Sequence, residues 1–294
     1  MDEFNPLELG LVFIFSLLLV FSILCYFKLM RSDGEFVGYP SLVRLSFFFS
    51  LFRGIHFLLL ACFNYAWNAI GFMPFFHYSE LYLLIIDECN NALVFFIFIH
   101  YAMIWQAFSP AVTHSIHSLN THPAIIVIQD KIDMRLHFLL SFIAVILYII
   151  TTMVLYCLSI LSGRALVVSN SIVFSVLECY VIIQLLRYVR QLKELLQQTL
   201  ISVEIKWKQY KREVGIVSFS IIALVLRILF RVLPFVSSAM NNFGIMLIAL
   251  YVIVTEVGPV TYYLIHTVAV VDNANIYNGY FQQLLTTLQD VITL

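Results

Sequence analysis

The sequence predicts an all-α integral membrane protein, a bundle of seven transmembrane helices. Of its 294 residues, 62% are hydrophobic and only 11% are charged, which is far more apolar than the core of a soluble domain requires. Seven separate stretches are long enough to cross a bilayer, for which a helix needs about 20 mostly apolar residues. Lys and Arg residues gather on alternate connections between these stretches.

Each predicted span is a continuous apolar run. In chain order the spans are residues 8–30, 42–67, 79–107, 137–160, 165–189, 213–236 and 244–269. Continuous runs favour helices, because the strands of a membrane barrel alternate polar and apolar residues over about ten positions. Residues 108–136 are assigned to a polar connection, since Pro110 and Pro123 argue against one continuous helix.

The chain is predicted to form one seven-helix domain over residues 1–270, because no repeat or linker divides it. Residues 271–294 form a cytosolic tail, in which Phe281, Leu284 and Leu288 recur at helical spacing and predict a short amphipathic helix. Similar spacing of Leu residues between 192 and 200 predicts that the fifth helix extends beyond the bilayer.

The positive charges predict the orientation, because cytosolic connections carry the excess of Lys and Arg. Twelve of the 16 Lys and Arg residues lie at or near the first, third and fifth connections, whereas Arg164 lies on the opposite side. The N-terminus is therefore expected to be non-cytosolic and the C-terminus cytosolic. Basic residues in the cytosolic headgroup layer of the bilayer are attracted to anionic lipids. The predicted cytosolic basic face consists of Lys206, Lys208, Lys211 and Arg212.

Ionisable residues inside the spans form the main candidate site. They are Arg53, Asp87, Glu88, Glu178, Arg227, Arg231 and Glu256, so three cations face four potential anions. Such groups are costly in a bilayer and normally pair inside the bundle. Arg227 and Glu256 reach similar depth on neighbouring helices and are expected to pair, and Arg53 is expected to meet Glu88 or Glu178. The network serves either to fix helix register or to form a polar pocket or proton path.

Gly258 and Pro259 predict a kink in the seventh helix. Proline supplies no N–H and clashes with the preceding turn, so the hydrogen-bond ladder is expected to break just after Glu256.

Several function classes are disfavoured by residue content. The basic residues form no patch that tracks a phosphate backbone, so no nucleic-acid partner is expected. Residues 244–269 contain no Lys for a retinal Schiff base. No catalytic, metal or cofactor site is predicted. A haem-binding electron carrier stays open as a lesser alternative, because paired histidines can ligate haem iron. The candidate histidines are His56, His100, His137 and His266.

Motifs in the last two helices resemble the tobamovirus multiplication protein family. The matching residues are Arg212-Glu213-Val214-Gly215, Leu226-Arg227, Tyr251 and Thr255-Glu256-Val257-Gly258-Pro259, together with Phe52-Arg53 and an aromatic third helix ending at Trp105. Gly258 stands where the family usually has Leu, and Gln106 follows Trp105 where plant members tend to have small and acidic residues. Arg53, Arg227, Glu256 and Pro259 are the matched polar and kink residues.

The resemblance implies a receptor-like or scaffold protein of a vacuolar or lysosomal membrane rather than an enzyme. Plant relatives bind viral replication proteins on the cytosolic face, and animal relatives are lysosomal orphan-receptor-like proteins. The expected partners are therefore the lipid bilayer and cytosolic or membrane proteins, with a structural or conformational role for the matched residues. The alternative is a structural or accessory subunit of a larger membrane complex.

Overall fold

Every long element in the described part of the protein is a helix. The computed structural model describes residues 6–31, 39–70, 85–103, 123–158, 160–198, 203–236, 245–269 and 271. Within those ranges, seven helices are long and apolar enough to cross a membrane. The predicted all-α, seven-helix membrane fold is confirmed to this extent, and the orientation of the termini stays a prediction. The amphipathic helix expected in the tail falls at residues 272–294, outside the described residues.

The helices follow the predicted spans closely. They are α1 (Pro6–Met30), α2 (Tyr39–Ile70), α3 (Ile85–Met103), α4 (Pro123–Cys157), α5 (Gly163–Gln198), α6 (Val203–Val236) and α7, which begins with Ile245–Val252 and runs to Ala269. A helix bonds all its backbone groups within one segment, which a bilayer interior without water requires.

α3 is the central helix of the bundle. In its apolar stretch 67% of the residues are buried, compared with 22% in α4 and 28% in α1 and α5. Residues 94–102 are buried without interruption. Phe98 meets Tyr263 of α7 at 5.7 Å between ring centroids, and Phe96 meets Phe142 of α4 at 5.2 Å. Neighbouring helices therefore shield residues 94–102 of α3 from lipid.

The outward faces of the other helices are apolar. Exposed large side chains include Phe13 and Leu17 on α1, Leu147 on α4, and Ile172 and Val176 on α5. A water-soluble protein would bury most residues of these types. Their exposure along whole helices agrees with a bundle that is surrounded by lipid.

α7 contains a π-helical turn, Ile253–Val257, at the position of the expected kink. Pro259 has no N–H to donate, and the Gly258 N–H donates to the carbonyl oxygen of Ile253, five residues earlier. A Cβ atom on Gly258 would lie 2.9 Å from Cζ of Phe219 on α6. A larger residue at 258 would therefore require the Phe219 ring of α6 to shift. The expected break in the ladder takes the form of a widened turn that includes Glu256.

α4 and α5 are among the helices that extend beyond their predicted spans. α4 begins at Pro123, so residues 123–136 extend this helix and do not form the expected connection. Proline is tolerated as the first helical residue, where its missing N–H has no partner to lose. α5 continues to Gln198, which confirms that the fifth helix extends past its apolar stretch.

Candidate functional site

Glu256 lies at the centre of a buried ionic network. Its carboxylate is 1% exposed and accepts hydrogen bonds from two arginines. Arg53 of α2 donates from Nε to Oε2 at 2.8 Å and from Nη2 to Oε1 at 2.9 Å. Arg227 of α6 donates from Nη1 to Oε1 at 2.8 Å. The π-helical turn thus presents one carboxylate to two helices, and the expected pairing of Arg227 with Glu256 is present.

Arg227 connects four helices through its guanidinium group. It is fully buried, and all three of its nitrogen atoms donate. Besides the bond to Glu256, Nε donates to Oε1 of Glu178 on α5 at 2.8 Å, and Nη2 donates to Oδ1 of Asn91 on α3 at 3.0 Å. The guanidinium is planar and its donors point in fixed directions, so it can bond to three neighbouring helices at once. A Lys ammonium lacks this geometry.

Asp87 forms the outer edge of the network. Its carboxylate accepts from Nη1 of Arg53 at 2.6 Å and from the Asn91 amide at 3.4 Å. The Asp87 side chain is 43% exposed, whereas that of Glu256 is 2% exposed. The network therefore extends from the partly exposed Asp87 of α3 to the buried Glu256 of α7.

Arg231 joins the network one helical turn after Arg227. Its Nη1 lies 2.8 Å from Oε2 of Glu178 as an ion pair without the alignment of a hydrogen bond, and Nη2 donates to Oδ1 of Asn91 at 3.3 Å. The guanidinium also lies over the ring of Phe174, 5.4 Å from its centroid. Glu178 therefore bridges two arginines that are spaced to share one face of α6.

The charges within this network balance. Three arginines (Arg53, Arg227 and Arg231) contact three carboxylates (Asp87, Glu178 and Glu256). Isolated charges in a bilayer interior are costly, whereas paired and hydrogen-bonded ones are tolerated. The network joins α2, α3, α5, α6 and α7, and each of its residues contacts another residue of the network. These contacts favour a single arrangement of the five helices.

The expected partners of Arg53 were wrong. Within the described part of the chain, Arg53 contacts Glu256 and Asp87 rather than Glu88 or Glu178. Successive helix residues point about 100° apart. Asp87 therefore faces α2 while Glu88 turns toward α5, and Glu178 is taken by the two arginines of α6. Depth in the spans correctly indicated which ionisable residues lie near one another. The rotation of each helix about its axis determines which acid Arg53 contacts.

Glu88 belongs to a separate cluster between α3, α4 and α5. Its Oε1 accepts from the Asn170 amide at 2.6 Å, and Oδ1 of Asn170 accepts from the Tyr148 hydroxyl at 2.7 Å. The Tyr148 hydroxyl also lies 3.0 Å from Oγ of Ser169. Of the seven predicted network residues, the structure brings six together and leaves Glu88 apart.

A third polar cluster lies toward the opposite end of the bundle. Nε2 of His266 on α7 lies 2.8 Å from Oε1 of Glu213 on α6, and both residues are buried. Arg212 donates to the same oxygen at 3.1 Å. The rings of Tyr39 and Tyr101 lie within 6.4 Å and 6.2 Å of the imidazole. α7 is therefore held at two levels, by Glu256 near its middle and by His266 near its end.

The structure describes the side chains of two of the four residues of the predicted basic face. Lys211 is exposed, and its Nζ lies 5.0 Å from the centroid of the Trp207 ring. Arg212 turns inward to Glu213. The side chains of Lys206 and Lys208 lie outside the described residues.

Three of the four candidate haem histidines have described side chains. His100 and His266 are buried, His56 is half-buried against Phe57, and the side chain of His137 lies outside the described part. Among the described residues, no group of three or more His, Cys, Asp or Glu residues is placed to hold a metal ion.

Sequence reasoning missed the amide residues of the site. Asn91 is bonded to three network residues, and Asn170 holds Glu88. A usable signal was present, because Asn91 follows Asp87 by four residues and so lies on the same helix face. Glu8 in α1, bonded to the Asn64 amide at 2.6 Å, was also missed.

Comparison with known proteins leaves the family open. No protein-family model matches the chain, and no curated protein sequence matches it. The resemblance to the tobamovirus multiplication proteins stays a prediction.

Proposed function

We propose that this chain is a non-enzymatic, receptor-like or scaffold membrane protein that recruits cytosolic partners at an endomembrane. The observation that carries the proposal is the contact of six of the seven interior ionisable residues with one another. Among the described residues, exposed charged and aromatic side chains also lie where α5 and α6 extend past their apolar stretches. Partner binding at the projecting ends follows from this arrangement more directly than chemistry in the interior.

The projection consists of the end of α5 and the start of α6, and we call it the α5–α6 projection. The apolar stretch of α5 ends at Arg190 and the helix ends at Gln198, so residues 191–198 extend beyond it. The apolar stretch of α6 starts at Tyr210 and the helix starts at Val203, so residues 203–209 precede it. At 1.5 Å per residue, these segments reach roughly 10 Å beyond the hydrophobic layer.

Exposed residues at the base of the projection combine charge with an aromatic surface. Lys193, Trp207 and Lys211 are exposed, and Trp207 stacks on Tyr210 with 6.0 Å between ring centroids. Aromatic residues are enriched at protein–protein interfaces because they bury a large area with few rotatable bonds. The predicted orientation places this surface in the cytosol.

The family resemblance supports the same proposal. Three of the residues that carry it, Arg53, Arg227 and Glu256, come from three distant parts of the sequence and meet in one network. If the matched residues form a structural motif of the family, they are expected to contact one another in the folded protein. The endomembrane assignment rests on this resemblance alone.

Proximity labelling tests the proposal. A biotin ligase is fused to the C-terminus, and labelled proteins are compared for the wild type, a Lys193→Ala/Lys211→Ala variant and the matched control Arg31→Ala. Arg31 is exposed at the same end of the bundle but lies outside the α5–α6 projection. We expect soluble cytosolic proteins to be enriched and to fall several-fold only in the double variant. A fixed set of membrane proteins that is unaltered in all three would instead indicate an accessory subunit.

A further inference from the structure

The charge balance leaves one carboxyl group without a cation. Four acidic residues, Asp87, Glu88, Glu178 and Glu256, lie at similar depth with three arginines. The arginines contact the other three acids and make no ion pair with Glu88 in the described part of the chain. Glu88 is therefore the surplus acid of this layer.

The two oxygen atoms of Glu88 have different surroundings. The residue is 6% exposed. Oε1 accepts from the Asn170 amide at 2.6 Å, whereas Oε2 is buried and meets no hydrogen-bond donor among the residues that the structure describes. In an ionised carboxylate, both oxygens share the negative charge and both need donors. The described residues supply one donor, to Oε1.

The neighbouring groups do not neutralise Glu88. Asp87, next to it on α3, is a second acid, and Arg231 of α6 acts on Glu88 through space but contacts Glu178 and Asn91. From α4 the ionisable group is Tyr148, whose hydroxyl donates to Asn170. α5 supplies the Asn170 amide, with Ser169 beyond it.

Energetics favour a neutral group at this position. Burial of an uncompensated charge is costly even after the surrounding structure relaxes. A neutral polar atom that lacks one hydrogen bond costs less. A carboxyl group that carries a proton on Oε2 avoids the larger cost and keeps the bond from Asn170.

We propose that Glu88 is an intramembrane proton-binding site, and that its carboxyl group carries a proton in the folded bundle. The site is formed by α3, α4 and α5 and is separate from the Glu256 network. Release of the proton would place a negative charge between α3 and α5, so proton binding and the packing of these helices are linked. This inference does not depend on the recruitment of partners.

Infrared spectroscopy of the reconstituted protein at neutral pH tests the proposal. The difference spectrum between wild type and Glu88→Gln should contain the carbonyl stretch of a protonated carboxyl group. The matched control is Glu178→Gln, which removes an acid of the same type, one that contacts two arginines. The band should persist in this control. Absence of the band from the wild type, or its persistence in Glu88→Gln, overturns the proposal.

Thermal stability gives a second readout. Glutamine has the shape of a protonated glutamic acid, so Glu88→Gln should melt within about 2 °C of the wild type, while Glu178→Gln should melt several degrees lower. Equal losses in both variants would show that Glu88 is ionised. If Na⁺ or K⁺ raises the melting temperature of the wild type but not of Glu88→Gln, a metal cation rather than a proton occupies the site and the proposal is wrong.

Discussion

Arg53 of α2 donates two parallel hydrogen bonds to Glu256 of α7, at 2.8 Å and 2.9 Å, across 203 residues of sequence. Its third nitrogen binds Asp87 of α3 at 2.6 Å. A single planar group thus fixes the rotation of three helices relative to one another. Bidentate bonds of this kind are directional as well as strong.

Arg53→Lys should therefore destabilise the bundle although it keeps the charge. A Lys ammonium is a point charge and cannot reproduce the fork toward Glu256 together with the bond to Asp87. We expect a loss of about 1.5–3 kcal/mol, the usual value for a hydrogen bond to a charged group. Denaturant titration in lipid nanodiscs measures it. Arg31→Lys, at an exposed position, is the control and should leave stability unchanged.

The balance of three cations and three anions gives a sharper prediction for Arg227 and Glu256. Glu256→Gln leaves a surplus cation, and Arg227→Leu leaves a surplus anion. Each should cost about 3–5 kcal/mol, the range for breaking a buried ion pair by removal of one partner. The double variant retains two cations and two anions, so its loss should be clearly smaller than the sum of the single losses.

A double-mutant cycle by thermal melting checks this. Strict additivity would mean that the two residues are energetically independent despite their 2.8 Å contact. Unchanged melting in both single variants would mean that the network does not hold the folded state at all.

The spans and six of the seven network residues could be predicted from the sequence. Both depend on where apolar and charged residues occur along the chain. Bilayer thickness sets the length of each span. The cost of intramembrane charge makes Arg53, Arg227 and Glu256 conspicuous in an apolar chain. Depth along two neighbouring helices was enough to expect the Arg227–Glu256 contact.

Helix rotation was beyond sequence reasoning. Whether Asp87 or Glu88 faces Arg53 depends on a turn of about 100° between adjacent residues of α3. That rotation is set by how the whole face of α3, including Phe98 and Tyr101, packs on α7. The Glu213–His266 contact was missed for a similar reason, because charged residues near a span end have many possible partners.

Gly258→Ala should lower stability by about 1–3 kcal/mol, the usual cost of overpacking. The new methyl group would lie 2.9 Å from Cζ of Phe219 and 3.3 Å from the Ile253 oxygen, in the π-helical turn that positions Glu256. Gly215→Ala is the matched control, because a Cβ at that helical position meets nothing within 4 Å. Thermal melting should show a loss only for Gly258→Ala. Equal behaviour of the two variants would contradict the close packing of α6 on α7.

His266→Leu should destabilise the end of α7 because it leaves the buried carboxylate of Glu213 with one fewer donor. A loss of about 1–3 kcal/mol is expected, and His266→Gln should recover part of it, since its amide can donate to Glu213. The neighbouring Ile265→Ala is the control. Ile265 is 49% exposed on the lipid-facing side and should change stability little. A full loss in His266→Gln would show that shape, not hydrogen bonding, matters at this position.

Orientation is tested by thiol labelling, since the excess of Lys and Arg predicts that the α5–α6 projection is cytosolic. Trp207 and Leu7 are both exposed and lie at opposite ends of the bundle, so Trp207→Cys and Leu7→Cys form a matched pair. A membrane-impermeant maleimide is added to cells whose plasma membrane alone is permeabilised. We expect Trp207→Cys to react at once and Leu7→Cys to react only after detergent opens the internal membranes. The native cysteines lie within the spans, and their labelling in the unsubstituted protein gives the background. The reverse pattern would place the projection in the lumen, and recruitment of cytosolic proteins by that surface would then be impossible.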